Sequence, residues 1–133
     1  MMYELKEAAL RALKRGVKIR VLGEVTKESI FYGKADMRYF SEARHMSGIA
    51  GLLIVSDDYY ISSPLLYSET PVSCCVVSNA KSLVDKHKAL FENLWMKAIP
   101  VEERFRELES EIESEFVESI TDRTRIRDII SIS

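Results

Sequence analysis

The chain has 133 residues, 47% hydrophobic and 30% charged, with only 5 glycines and 3 prolines. One globular domain fits that length and composition, which excludes wholesale disorder, collagen-like repeats and low-complexity tracts. Nineteen Lys and Arg against 21 Asp and Glu leave a net charge of −2, which disfavours a generic nucleic-acid or membrane-surface binder.

Residues 3–15 read as an amphipathic helix, with Leu5, Ala9, Ala12 and Leu13 on one face and Gly16 at the C-cap. Lys18 to Val25 alternates as a strand does, Ile19, Val21 and Gly23 sharing a face. Thr26 is the expected N-cap of a helix over 27–41, with Ile30, Met37 and Phe40 as its stripe. Glu42 to Met46 reads as a short strand, and Gly51 to Ser56 as a strand covered on both faces. Asp57 and Asp58 make the turn into a return strand over Tyr59–Ser62, followed by a loop over 63–71. Val72 to Ser78 is apolar and β-branched enough for another buried strand. Cys74 and Cys75 within it are adjacent, so they cannot close an ordinary disulfide loop. Inert packing in a reducing cytoplasm is the expectation.

Asn79 is the expected cap of a helix over 80–98 whose stripe is Leu83, His87, Leu90, Phe91, Leu94, Trp95 and Ala98. Pro100 breaks it. A second helix over 101–118 carries a narrow seam of Val101, Phe105, Leu108, Ile112 and Phe116, with eight glutamates against Arg104 and Arg106. Such a helix is either a connector or dimer contact, or a helix folded back on its own domain. Asp122 is the expected cap of one more helix over Arg123–Ile130. The expected core includes Leu53, Val55, Val76, Leu90 and Trp95. No apolar run reaches the roughly 18 residues of a membrane span, and no secretory signal is evident.

Catalytic signatures are scarce. GxGxxG, GxxxxGK[ST], HExxH, GxSxG and CxxC are all missing, and no cofactor or metal is expected. Of the two histidines, His87 lies on an apolar helix stripe. His45 stands beside Arg44 in a short strand, where Arg offers a bidentate fork to an anion. From Met1 to Arg20 six Lys and Arg face two Glu, a surplus that fits a solvated face better than a DNA contact.

Four stretches carry a resemblance: RGVKIRVLGEVTKESI (15–30), EARHMSGIAGLLIVSDDYYI (42–61), VVSNAKSLVDKHKALFENLWMKAIPVEERFRELES (76–110) and EFVESITD (115–122). Together they resemble the sensor region of archaeal signalling proteins, upstream of a histidine kinase core or within a transcription regulator. That resemblance implies a fold related to phospholipase D and to the effector domain of TrmB-type sugar-sensing regulators. It also implies a test, because the phospholipase D superfamily works with HxKxxxxD. Aligning Asp57 with the motif's Asp places Ala50 at the His position and Leu52 at the Lys position. A covalent phosphoryl intermediate needs a nucleophile, and neither residue can serve. The resemblance further implies either a piece of a longer sensor or a single half that pairs with its own copy.

The expected fold is therefore α+β, a mixed central sheet flanked by helices (a phospholipase D-like half) with an acidic helical extension. The domain spans 1–99 and the connector or dimerisation tail 100–133. The expected function is a non-catalytic, cytoplasmic, homodimeric sensor or regulatory module. It would bind a small ligand or a partner, such as a downstream kinase or DNA-binding domain, and relay the change through its C-terminal helix. The alternative is a small phosphodiesterase or nuclease with displaced catalytic residues, His45 with Lys34 or Asp57. Ligand-site candidates are Glu24 and Thr26 after the first strand, Arg44 and His45 beside it, and Asn79 after the last strand. Arg44 would dock an anion, Glu24 would hold the guanidinium, and His45 would make binding sensitive to pH near neutrality. The plainer alternative for Glu24 and Arg44 is a surface ion pair. Interface candidates are Phe105, Leu108, Ile112 and Phe116.

Overall fold

Ile19, Val21, Leu22 and Val25 are all buried, and this short apolar stretch forms the centre of a sheet. The computed structural model describes residues 3–49, 51–64 and 75–132. Among these, six strands line up as β5 (Val76–Ser78), β4 (Tyr60–Pro64), β3 (Gly51–Val55), β1 (Arg20–Gly23), β2 (Glu42–His45) and β6 (Ile99–Pro100). Only β1 and β2 run parallel, joined through α2 (Ile30–Asp36) and a 3-10 turn at Met37–Tyr39; every other pair is antiparallel. The remaining helices are α1 (Tyr3–Lys14), α3 (Lys81–Trp95) and α4 (Val101–Ile132). The fold is α+β, with a mixed sheet and a long C-terminal helix.

Alternation along β1 sorts the helices onto two faces. Val21 and its neighbours Ile19 and Ile54 pack under α1 through Ala9, Ala12 and Leu13. Leu22 points the other way and joins Val55, Phe91 and Trp95 beneath α3. On the α1 face, the start of α4 brings Val101, Phe105 and Leu108 against Val25, with Ile30, Met37 and Ala43 closing the cluster. Gly16 ends α1 at φ +84°, a backbone angle that glycine adopts without a Cβ penalty.

Several expected boundaries move, each for a local reason. Thr26 does not cap a helix over 27–41. Its N–H donates to Ser29 Oγ in a turn, and the helix starts only at Ile30. Nor does Asn79 cap α3, whose N-cap is Ala80 without a side-chain bond. Val76 is 50% exposed, because β5 is an edge strand and not a buried one. Leu90 is 62% exposed: α3 meets the sheet along Val84, Phe91 and Trp95, and Leu83 and Leu90 each sit one residue, about 100°, off that line. Trp95 and Val55 are buried as expected, and Leu53 is half-buried. The expected loop over 63–71 begins later, since Ser63 and Pro64 belong to β4. Its remainder, Val72 to Cys74, and Ala50 lie outside the described residues.

The two expected C-terminal helices are one. Nothing near Asp122 breaks α4, and the Thr121 and Thr124 hydroxyls donate back to the Val117 and Ile120 carbonyls. Phe105 and Leu108 cannot form an intermolecular seam, because they are 8% and 2% exposed within their own chain. The first two turns of α4 fold back on their own domain, and the described side chains beyond Leu108 are exposed. No helix among the described residues is long and apolar enough to cross a membrane.

Candidate functional site

The carboxyl ends of the parallel pair β1 and β2 lie side by side, the place where open α/β sheets gather ligands. His45 ends β2 on the α4 face and is only 5% exposed. Its Nδ1 accepts the Val25 N–H at 2.9 Å, and its Nε2 lies 3.1 Å from Ser47 Oγ. Accepting at Nδ1 puts the proton of the neutral ring on Nε2, facing Ser47. Burial pushes the imidazole below its ordinary value, and the nearby Arg104 guanidinium adds to the effect over smaller opposing pulls from Glu24 and Glu107. A neutral, doubly engaged ring at this position is a structural strut, not a switch poised at neutrality.

The strut reaches α4 through a single residue. Val25 donates its N–H to His45, and its carbonyl accepts from Arg104 Nε at 3.1 Å. Arg104 Nη1 donates to Glu107 Oε2 at 3.3 Å, one turn on. Glu24 Oε1 accepts the Gly48 N–H at 2.7 Å, tying the loops after β1 and β2 together. Gly48 has φ +88°, so the β2–β3 turn is built for glycine. Lys27 pairs with Glu111 and Glu115, and Lys34 with Glu109, so the segment after β1 and α2 both hold α4.

Glu24, Thr26 and His45 are thus brought to one end of the sheet, but Arg44 and Asn79 are not. Arg44 follows the pleat to the opposite face. There its guanidinium lies 4.5 Å from the Trp95 ring centre, and Nη1 donates to the Trp95 carbonyl at 2.8 Å. The guanidinium expected to dock an anion beside His45 is occupied elsewhere. Asn79 follows β5, three strands from β1 and at the other end of the sheet, since Ser78 pairs with Tyr60, Tyr60 with Val55, and Val55 with Arg20. Asp57 lies at that same far end, with Lys88 Nζ 3.4 Å from its carboxylate.

Between α3 and the strands β3 and β4 an apolar groove of about 240 Å³ opens, lined by Leu53, Tyr60, His87, Leu90, Phe91 and Leu94. His87 stacks flat on Tyr60, ring centres 3.5 Å apart and planes 7° from parallel. The available signal is a histidine on an apolar helix stripe; its partner across the groove depends on tertiary packing. Arg20 flanks the α3 face as well, paired with Glu92 and lying against the Phe91 and Trp95 rings. Compared with family models, with curated proteins and with solved structures, the chain matches none.

Proposed function

We propose that the chain is a non-catalytic sensor or regulatory module of an archaeal signalling or transcription-regulatory protein, working in the cytoplasm on a phospholipase D-like half-fold. The observation that carries this reading is the junction between α3 and α4. Only residues 96–100 separate the two helices, and Ile99 and Pro100 are pinned to β2 as β6. A ligand seated in the groove presses on Leu90, Phe91 and Leu94 of α3. Any shift of α3 then passes through those five residues to Val101 at the root of α4. The root is buried, whereas the described side chains from Glu109 onward are exposed, so a small displacement at the base is presented far from the sheet. That is the construction of a lever.

The phosphodiesterase alternative has less support. His45 is buried with both ring nitrogens engaged, Lys34 pairs with Glu109, and Asp57 lies at the opposite end of the sheet. Leu52, at the motif's Lys position, packs in the apolar cluster under α1.

The test is a thermal-shift screen of small anions and metabolites on the wild type and on Leu90→Trp, whose indole fills the groove. Hydrogen exchange of residues 101–108 is read in parallel. The reading expects a compound that stabilises only the wild type and alters exchange at the root of α4. Stabilisation without any change at 101–108 removes the relay. Hydrolysis of a phosphodiester that disappears in His45→Ala returns the enzyme reading.

A further inference from the structure

Beyond Leu108, α4 buries none of its described side chains, yet it carries Ile112, Phe116, Val117 and Ile120, with Phe116 64% exposed. At 100° per residue, Ile112, Phe116 and Ile120 form one stripe that continues from Phe105 and turns away from the domain as the helix leaves it. The charges along the helix are unevenly placed. Residues 102–118 hold eight glutamates against Arg104 and Arg106, whereas residues 119–127 hold Arg123, Arg125 and Arg127 against Asp122 alone. Glu113 and Arg123 stand on or beside the apolar stripe. Laying two such helices in parallel sets the glutamate-rich stretches against each other. Laying them antiparallel sets each arginine-rich stretch against the other's glutamates.

We propose that a second copy of this chain covers the stripe, its α4 antiparallel to the first and the pair centred on Glu118. In that register Phe116 faces the partner's Ile120 and Glu113 the partner's Arg123. Each of these contacts occurs twice by symmetry. Glu118 itself, at the symmetry axis, lies on the back of the helix relative to the stripe, so the two copies of its charge do not meet. The overlap from 109 to 127 spans about 28 Å, enough for a stable pair of exposed turns. The docked residues Phe105 and Leu108 stay in their own domains. This pairing does not depend on the sensor reading, and an antiparallel dimer that senses nothing would leave it standing.

The experiment is sedimentation equilibrium on the full 133-residue chain, with thermal unfolding as a check on the fold. The wild type is expected to dimerise. Glu113→Arg alone and Arg123→Glu alone are each expected to weaken association about tenfold or more, since like charges then face each other twice. The combined swap is expected to restore it to within about threefold. All three variants alter exposed side chains, so their unfolding should match the wild type. Orientation is read from spin labels at Ser110→Cys, with Cys74→Ser and Cys75→Ser removing the native thiols. The antiparallel register separates the two labels by about 24 Å along the axis, whereas a parallel pair brings them within about 10 Å. A chain that stays monomeric, a dimer indifferent to both reversals, a double swap that fails to recover, or the short label distance each overturns the proposal.

Discussion

Replacing His45 separates its role as a hydrogen-bond acceptor from its role as a titrating group. In His45→Ala the buried Val25 N–H loses its acceptor, which costs about 1–3 kcal/mol, and the vacated ring volume adds to the loss. A total of about 2–4 kcal/mol is the expected destabilisation. His45→Asn keeps an acceptor oxygen the same number of bonds from the backbone as Nδ1, so its cost should be smaller, about 1 kcal/mol. The two proteins should then differ in their response to pH. The folded-state pKa of His45 is lowered, chiefly by burial, so the unfolded chain takes up the proton first as pH falls. Above about pH 6.5 both states leave the ring neutral and its full contribution is present. Below that, stability falls by up to about 1.4 kcal/mol per pH unit until the folded-state value is passed. The asparagine variant lacks this slope. Trp95, the only tryptophan and 6% exposed, reports unfolding directly, so denaturant titrations from pH 7.5 to 5.5 measure both proteins by fluorescence. Equal pH slopes for the wild type and His45→Asn would refute the assignment of a buried neutral imidazole.

Adjacent residues of α3 test its register. Phe91→Ala should cost about 3–5 kcal/mol from the core cluster, whereas Leu90→Ser should stay within about 0.5 kcal/mol by the same denaturation assay. Arg44→Ala removes a charged hydrogen bond to the Trp95 carbonyl and a guanidinium from its ring, an expected loss of about 1–3 kcal/mol. Calorimetric titration with inorganic phosphate should show no affinity that depends on Arg44; a loss of phosphate binding in the variant would reinstate it as an anion anchor.

The amino-acid pattern alone determined most of the local structure, because hydrophobic period and turn chemistry act within a few residues. The first helix and its glycine end, the Gly51–Val55 strand and the Asp57 turn are all legible in that way, whereas the helix expected over 80–98 ends at Trp95 because Ile99 and Pro100 pair with β2. Pleat alternation is equally local, and it already places Arg44 and His45 on opposite faces of the sheet. What tertiary structure decided is where each face meets another. The spacing of Val101, Phe105, Leu108, Ile112 and Phe116 is continuous in sequence. Yet the first three residues are buried against Val25 and Ala43 while Ile112 and Phe116 are left exposed. Asn79 and Glu24 both follow strands, but strand order and direction put them at opposite ends of the sheet. The groove beside Tyr60 and His87 arises the same way, from a helix and a hairpin distant in sequence. A one-dimensional pattern states which residues need burial or a partner, and only the packed chain assigns them one.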